Sequence, residues 1–156
     1  MKNEKLLRIN QATEEDSILI WNWRNDLETR KMSKNKVKIG WEEHRRWLKR
    51  KLIHEKDKIY ILKEEINSIG VIFFSQTVNA EFEVSINLNP AYRSKGYGQK
   101  LLQLGIKRFK EENKTNDKIV ATIKKINIKS VNLFKKMMFK LERSDENFLY
   151  YSLASA

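Results

Sequence analysis

The sequence predicts an α+β fold in which a mixed, mostly antiparallel sheet is flanked by about four helices. Three observations indicate this fold. Three strand patterns follow one another within 58–88, a glycine-containing loop separates the last of them from the strongest helical pattern, and helices and strands alternate afterwards. The predicted element order is βααβββαβαβ. Because no linker, repeat or low-complexity segment interrupts it, we expect residues 1–156 to form a single domain.

The first part of the chain is predicted to contain one strand and two helices. Residues 6–9 have a strand pattern, and Thr13 is a typical helix N-cap because acidic residues follow it where the helix dipole favours them. A second amphipathic helix begins at Trp41. The polar segment 29–40 between the two helices is expected to be a loop.

Three strands are then predicted at 58–63, 69–76 and 80–88, and Asn67-Ser68 is expected to form part of a turn between the first two. The third strand alternates between apolar and polar residues, which is typical of a strand with one buried face. Its apolar residues are Phe82, Val84, Ile86 and Leu88, and its polar residues are Glu81, Glu83, Ser85 and Asn87. These spacings indicate an antiparallel meander.

The second part of the chain alternates between helix and strand. After a loop at 92–98, apolar periodicity predicts a helix through about Asn113. Residues 119–123 are a compact buried-strand candidate, 127–138 form the last predicted helix, and 148–153 form a closing strand.

Composition excludes several classes of site. The chain has no cysteine, so disulfides, thiolate metal sites and cysteine nucleophiles are excluded, and two histidines argue against a zinc site. No apolar stretch approaches the roughly 20 residues of a membrane span. The charged residues 1–8 run directly into a strand pattern, without the apolar region of a signal peptide. We therefore expect a cytoplasmic protein without a metal or a membrane partner.

The net charge of +12 requires an explanation. Nucleic acid, an anionic membrane surface and phosphate-rich small molecules are the possible partners, and a solvated basic face is the alternative without a partner. Many basic residues lie close together: Arg30, Lys31, Lys34, Lys36, Lys38, Arg45, Arg46, Lys49, Arg50 and Lys51. Charge alone does not choose among these interpretations.

The segment Arg93-Ser94-Lys95-Gly96-Tyr97-Gly98 lies between the alternating strand and the best predicted helix. Glycine lets the backbone approach a phosphate closely, and the free amides at a helix start bind anions. A plain turn is the alternative. The dinucleotide motif GxGxxG is absent because Leu101 occupies its third glycine position, and no GKS or GKT follows.

The chain resembles the GCN5-related N-acetyltransferase (GNAT) superfamily over nearly its whole length. The family's signature loop matches residues 93–98, and its element order is the predicted one. A second family signature matches Asn127, Ser130 and Phe134-Lys135, followed by Met138-Phe139. The resemblance implies a GNAT-like sheet and direct transfer of an acetyl group from acetyl-CoA to an amine.

The resemblance also implies where acetyl-CoA binds. Its pantetheine arm would lie along the strand at 86–88, its pyrophosphate on the amides of 95–98, and Arg93 and Lys95 would add charge at the rim. Asn127 and Ser130 would contact the pantetheine and the adenine nucleotide. The candidate cofactor-binding residues are Ile86, Asn87, Leu88, Arg93, Ser94, Lys95, Gly96, Tyr97, Gly98, Asn127, Ser130 and Lys135.

Transfer needs a base for the acceptor amine. Glu83 and Glu81 share one face of the central strand, and Glu83 is favoured because it lies nearer the thioester end; two solvated carboxylates are the alternative. His44 is a further candidate, or a packed structural histidine. Many family members have a tyrosine acid where this chain has Phe134, so the acid stays unassigned.

Two segments, Trp23-Arg24-Asn25-Asp26 and Glu42-Glu43-His44-Arg45-Arg46-Trp47, resemble acetyltransferases of the pseudaminic-acid pathway, which act on UDP-linked 4-amino sugars. The resemblance makes Arg24, Asn25 and Trp47 candidate contacts for a nucleotide sugar. Alternatively the tryptophans are core residues and Arg24 pairs with Asp26 or Glu28. Two other functions stay open: acetylation of protein N-termini, and a non-catalytic domain that binds acyl-CoA or nucleic acid. We expect no nucleic-acid partner, because the sequence has no recognised nucleic-acid motif and its aromatic residues fall at core-like spacings. A homodimer also stays open.

Overall fold

The computed structural model describes residues 6–114 and 116–154. In chain order the elements are β1 (Leu7–Gln11), α1 (Ser17–Asn25), α2 (Leu27–Met32), α3 (Trp41–Ile53), β2 (Lys58–Glu64), β3 (Asn67–Gln76), β4 (Phe82–Leu88), α4 (Tyr97–Asn113), β5 (Ile119–Lys124), α5 (Ile128–Lys136), β6 (Lys140–Ser144) and β7 (Phe148–Leu153). Short 3-10 turns precede α1 and follow β4. Residues 1–5, on which the expectation about a signal peptide partly rests, lie outside the described residues.

The strands form one seven-stranded sheet in the order β1-β2-β3-β4-β5-β7-β6. Every neighbouring pair is antiparallel except β4 and β5, which are parallel. The predicted class, a mixed and mostly antiparallel sheet with flanking helices, is therefore confirmed. The described residues contain five α-helices, one more than expected.

Two local predictions were wrong, and one strand was not predicted. The predicted loop at 29–40 begins inside α2, whose N-cap Asp26 accepts a hydrogen bond from the Thr29 amide at 3.2 Å. The turn between β2 and β3 lies at 65–66, where Glu65 has a φ of 55°, rather than at 67–68. Strand β6 was not predicted, because all five of its residues are exposed and its sequence has no apolar alternation.

The sheet separates two hydrophobic cores. On one face α4 and α5 cover the larger core, which includes the apolar residues of β4. On the other face α1 and α3 cover a smaller core built on Ile20, Trp23 and Leu48. Because Phe82 and Val84 face the larger core, the alternating polar residues of β4 face the side of α1 and α3.

Helix α4 lies close to the sheet at Gly105. A Cβ atom at this position would lie 2.6 Å from Cδ1 and 2.9 Å from Cγ2 of Ile72 on β3, so any other residue requires Ile72 or the helix to move. The glycine therefore sets the distance between α4 and the sheet.

No helix in residues 6–114 and 116–154 is long and apolar enough to cross a membrane.

Candidate active site

The central feature of the site is the divergence of β4 and β5. The two parallel strands pair only at Phe82 with Ile119 and at Glu83 with Val120. On its other edge β4 continues to pair with β3 as far as Leu88. The edge of β4 beyond Glu83 can therefore accept an extended ligand as an additional strand, held by backbone hydrogen bonds.

The glycine loop leads from the end of β4 into α4. Ser94 and Gly96 have φ values of 61° and 86°, and Gly96 is the N-cap of the 17-residue helix. In the described part of the chain no side chain caps this helix start. Its first-turn amides are therefore available to an anion, which the helix dipole also favours.

The second glycine of the loop has a different role. A Cβ atom at Gly98 would lie 3.2 Å from Cδ2 of Leu133 on α5 and 3.8 Å from Cδ1 of Leu88. Gly96, by contrast, has nothing within 4 Å of an added Cβ and is required for its positive φ. One glycine thus gives the loop its conformation, and the other lets α4 start close to α5.

The side chain of Arg93 does not point to the loop rim as expected. Its guanidinium donates to Asp26 Oδ2 at 2.5 Å, to Thr29 Oγ1 at 3.0 Å and to Glu28 Oε2 at 3.3 Å. Partial burial acts to raise the pKa of the Asp26 carboxyl, but the hydrogen bonds from Arg93 and Thr29 outweigh it and lower this pKa. Arg93 therefore connects the glycine loop to the α1–α2 junction, and Lys95 is left as the exposed cation of the loop.

Tyr97 is turned under the loop. Its hydroxyl donates to both oxygens of Glu64, at 3.0 and 3.1 Å, and its ring packs edge-on against Tyr92 with the centroids 5.5 Å apart. Burial, followed by the bond to Glu64, raises the pKa of the Tyr97 hydroxyl. Its side chain therefore supports the loop from below, and only its backbone amide is available to bind an anion.

The second signature lies at the start of α5. Asn127 is the N-cap, and its side chain accepts from the Ser130 amide at 3.3 Å. Lys129 Nζ lies 3.5 Å from Ser94 Oγ, so the start of α5 contacts the glycine loop directly. Lys135 is exposed in the last turn of the helix.

Phe134 is buried on α5. Its ring packs edge-on against Phe139 with the centroids 4.9 Å apart. The residue lacks a hydroxyl and is enclosed in the larger core, so it cannot donate a proton.

Glu83 lies where β4 and β5 part. Its carboxylate accepts from Lys34 Nζ at 3.1 and 3.3 Å and from Thr122 Oγ1 at 3.2 Å, and its side chain is 35% exposed. Glu81 instead lies before the start of β4 and pairs with Lys118 at 3.7 Å. Of the two carboxylates, only Glu83 faces the opening between the strands.

His44 is buried and fully hydrogen-bonded. Its Nε2 lies 3.0 Å from the Ser17 carbonyl and its Nδ1 lies 3.0 Å from Arg24 Nη1, and its ring lies between Trp41 and Trp47. Burial, reinforced by the charge of Arg24, lowers the pKa of His44 to about 4. These contacts favour the packed structural histidine over a catalytic His44, since a neutral imidazole with both nitrogens engaged has no position free for an acceptor.

Arg24 and Trp47 stack on each other rather than standing free. The Arg24 guanidinium lies 4.0 Å from the centroid of the Trp47 ring, and Trp47 also packs edge-on against Phe73. Burial lowers the pKa of Arg24. The alternative pairing of Arg24 with Asp26 or Glu28 does not occur, because both carboxylates bind Arg93.

Asn25 holds the coil at 33–40. Its side-chain amide donates to the Ile39 carbonyl and accepts from the Ile39 amide, both at 2.8 Å, and Trp21 Nε1 donates to the same carbonyl at 2.8 Å. The role that the structure gives Asn25 is therefore to fix this coil against α1, and sequence alone did not predict it.

A cleft of about 450 Å³ opens beside these residues, between α1, the coil and the segment after β4. Its lining residues are Trp21, Asn22, Trp23, Asn25, Asp26, Lys38 and Pro90. The Trp21 indole, two asparagine amides, Lys38 and the Asp26 carboxylate, which is paired with Arg93, together are suited to a small polar ligand.

The contacts of Glu83 with Lys34 and Thr122 were not predicted from the sequence. The burial of Lys124 on β5 was not predicted either: it is 8% exposed and donates to the Lys31 carbonyl at 2.9 Å. Burial, with the charge of Lys36, lowers the pKa of Lys124. The sequence feature that could have indicated the unusual environment of Lys124 is its position at the end of an otherwise apolar strand.

Comparison with known proteins identifies the class of this fold and site as acetyl-CoA-dependent N-acetyltransferases. The family model described as "Acetyltransferase (GNAT) domain" matches residues 7–140. The chain therefore belongs to the GNAT acetyltransferase family, as its two signatures predicted.

Individual relatives agree with this assignment. Acetyltransferase PseH of Campylobacter jejuni (strain 81-176) is 29% identical over 149 residues, which are 96% of this chain and 92% of that protein. The crystal structure of Campylobacter jejuni PseH in complex with acetyl coenzyme A is 25% identical, with a TM-score of 0.74 over 97% of this chain and 100% of that one. Spermidine N-acetyltransferase from Vibrio cholerae, in complex with CoA and spermine, shares the fold with a TM-score of 0.85 over 98% and 97% of the two chains, at 15% identity.

Proposed function

We propose that this acetyltransferase transfers an acetyl group from acetyl-CoA to the 4-amino group of a UDP-linked amino-deoxy sugar, in a pathway of the pseudaminic-acid type. The observation that carries the proposal is the position of Glu83 at the opening between β4 and β5, beside a coil that carries Lys34, Lys36 and Lys38. The resemblance of the Trp23–Asp26 and Glu42–Trp47 segments to UDP-amino-sugar acetyltransferases supports the acceptor. The similarity to PseH along nearly the whole chain supports it further.

In this proposal the amides of 95–98 hold the pyrophosphate of acetyl-CoA, and the edge of β4 at 86–88 holds its pantetheine arm. Asn127, Ser130 and Lys135 flank the same ligand from α5. The free helix start and the unpaired edge of β4 support these assignments. The thioester then lies near the point where the strands diverge.

Glu83 is the base that takes a proton from the acceptor amine, directly or through water. The amine attacks the thioester carbonyl, and hydrogen-bond donors beside β4 stabilise the negatively charged oxygen that forms. The leaving thiolate needs no dedicated acid, because a thiol with a pKa near 8.5 is a tolerable leaving group. The burial of Phe134 is consistent with this.

The acceptor lies in the cleft beside α1 in this proposal. Trp21 offers a ring surface for the sugar or the uracil, and Lys38 with its neighbours attracts the diphosphate. The same positive charge disfavours a polyamine or the basic N-terminus of a ribosomal protein, since like charges repel on approach. Arg24 and Trp47 then act from beneath the cleft as a stacked support.

Free-thiol release from acetyl-CoA against a panel of acceptors tests the proposal. The panel contains a UDP-4-amino-4,6-dideoxy sugar, the same sugar without UDP, a basic N-terminal peptide and spermidine. We expect turnover with the UDP-linked sugar and at least about a hundredfold lower kcat/KM without the diphosphate. Turnover of the peptide or of spermidine alone would refute the acceptor while leaving the enzyme class intact.

A further inference from the structure

Lys34 is bound to the proposed catalytic base. Its Nζ lies 3.1 and 3.3 Å from the two oxygens of Glu83, and Thr122 Oγ1 donates to the same carboxylate. The Lys34 side chain is 57% exposed and belongs to the coil that follows α2. A primary amine of the chain therefore occupies the place beside Glu83 that an external acceptor amine must occupy.

We propose that Lys34 is a self-acetylation site, which takes the acetyl group from acetyl-CoA when no external acceptor is bound. The inference rests on the proposed role of Glu83. A general base in direct contact with an amine is the arrangement that the external reaction requires. The coil that carries Lys34 is held at Ile39 by Asn25 and Trp21, so Lys34 is presented to Glu83 from a fixed anchor.

The transfer is balanced in atoms and charge. The Lys34 ammonium gives one proton to the Glu83 carboxylate and becomes a neutral amine. Its nitrogen attacks the thioester carbonyl carbon, so that a C–N bond forms while the C–S bond breaks. The second proton of the nitrogen ends on the departing thiolate, which leaves as CoA thiol, and Glu83 returns its proton to water.

The modification would change the site. An acetylated Lys34 has no charge, so its ion pair with Glu83 is lost and the coil carries one positive charge fewer. External acceptors compete for the same position, and they therefore protect Lys34. Self-acetylation is then fastest when acetyl-CoA is abundant and the acceptor is scarce.

The test uses acetyl-CoA with a deuterated acetyl group and no acceptor. Proteolysis after Glu28 and Glu42 releases segment 29–42, which carries Lys31, Lys34, Lys36 and Lys38 on one peptide. Mass spectrometry of this peptide then gives the labelling rate of each lysine, with three internal controls for spontaneous acetylation. We expect Lys34 to be labelled at least about tenfold faster than Lys36, and Glu83→Gln to abolish only that excess.

A second measurement does not depend on acetyl-CoA. In the free protein, a small amine-reactive reagent should modify Lys34 more slowly than Lys36, because Lys34 is held in an ion pair, and Glu83→Gln should remove the difference. Equal reactivity in the unsubstituted protein would show that the pair is not formed, and would overturn the inference.

The outcomes separate this inference from the proposed function. If the UDP-linked sugar is acetylated while Lys34 is labelled no faster than Lys36, the proposed function stands and self-acetylation is refuted. If acetyl-CoA binds but neither Lys34 nor any acceptor takes the acetyl group, the assignment of Glu83 falls as well. Excess labelling of Lys34 that a saturating acceptor suppresses supports both.

Discussion

Arg93 and Asp26 form an ion pair with 2.5 Å between Nη2 and Oδ2, although 67 residues of sequence separate them. Arg93 opens the glycine loop, and Asp26 caps α2 at the edge of the cleft that is proposed to hold the acceptor. Each side chain is 24% exposed, so water screens the pair only in part. The loop that is proposed to bind acetyl-CoA and the wall of the cleft are thus mechanically connected.

Substitution of Arg93 should therefore affect both ligands. We expect Arg93→Ala to lower the free energy of unfolding by about 1–3 kcal/mol, because Asp26 loses a charged hydrogen-bond partner. It should also weaken acetyl-CoA binding and raise the acceptor KM. Calorimetry and steady-state kinetics measure these effects, and Glu28→Gln is the matched control, since Glu28 is 55% exposed and contacts the same guanidinium.

The same pair has a predicted pH dependence. The pKa of Asp26 is lowered in the folded protein, so the stabilisation is complete above the unfolded pKa of roughly 3.9 and is lost as pH falls through the lower folded pKa. Asp26→Asn should remove this part of the acid dependence in denaturant titrations. Identical acid profiles for the two proteins would contradict the pairing.

Glu83→Gln should lower kcat by on the order of 10²–10⁴-fold, because the acceptor amine loses its base. Acetyl-CoA affinity should change little, since Glu83 lies on the opposite face of β4 from α4 and α5. Glu81→Gln is the comparison, as Glu81 pairs with Lys118 away from the opening. A larger loss in Glu81→Gln than in Glu83→Gln would reverse the assignment.

His44 should make the free energy of unfolding depend on pH between about 4 and 6.5, which is above the range in which Asp26 titrates. The pKa of His44 is about 4 in the folded protein and roughly 6.5 unfolded, so the stabilisation is present above pH 6.5 and declines as pH falls towards 4. The full effect is on the order of 3 kcal/mol. Chemical denaturation at several pH values should show it, and His44→Gln should flatten the curve.

His54→Gln serves as the control for that experiment, because the His54 side chain is 56% exposed. A steep slope that survives in His44→Gln would assign the dependence to other groups.

Replacement of Met138 by glycine should increase the stability of the protein. Met138 has a φ of 71° just after α5, where the bonds from the Met138 amide to Lys135 O and from the Phe139 amide to Phe134 O form a Schellman motif. Its side chain is 71% exposed, so little packing is lost. Met138→Gly should gain about 1 kcal/mol and raise Tm by roughly 2–4 °C.

Met138→Ala separates conformational strain from side-chain effects. Alanine keeps the Cβ atom that disfavours a positive φ, so we expect Tm to stay within about 1 °C of the unsubstituted value. A gain in Met138→Ala equal to that in Met138→Gly would show that the thioether, and not the backbone, was the source of the strain.

Sequence patterns were sufficient to predict the elements whose structure depends on nearby residues in the chain. The alternation from Phe82 to Leu88 predicted β4 and its two faces, and the position of Gly96 and Gly98 before an apolar periodicity predicted the start of α4. Strand β6 was missed because it is an exposed edge whose pairing with β7 leaves no apolar signal. Helix α2 was missed because its stability depends on the Asp26 cap more than on periodicity.

The site was predicted less completely, because its contacts are distant in sequence. The type of residue at Glu83 indicated a base, but nothing local indicated that Lys34 and Thr122 would bind it. Arg24 and Asn25 were predicted to contact a nucleotide sugar, and their partners in the folded chain, His44 and Ile39, come from other elements. The sequence alone does not distinguish a residue that contacts a ligand from one that holds neighbouring residues in place, because the difference depends on contacts that form only in the folded chain.

The close contact of Gly105 with Ile72 affects the position of the amides at the start of α4. Gly105 lies nine residues after Gly96, so the helix start is about 13 Å from the place where α4 rests on Ile72. A bulkier residue at 105 would tilt α4, and a tilt of about 5° would displace the first-turn amides by roughly 1 Å. In the proposed function these amides hold acetyl-CoA, and a misplacement of about 1 Å can cost on the order of a hundredfold in rate. The proposed position of the thioester therefore depends on a methyl group that is absent from the middle of a helix.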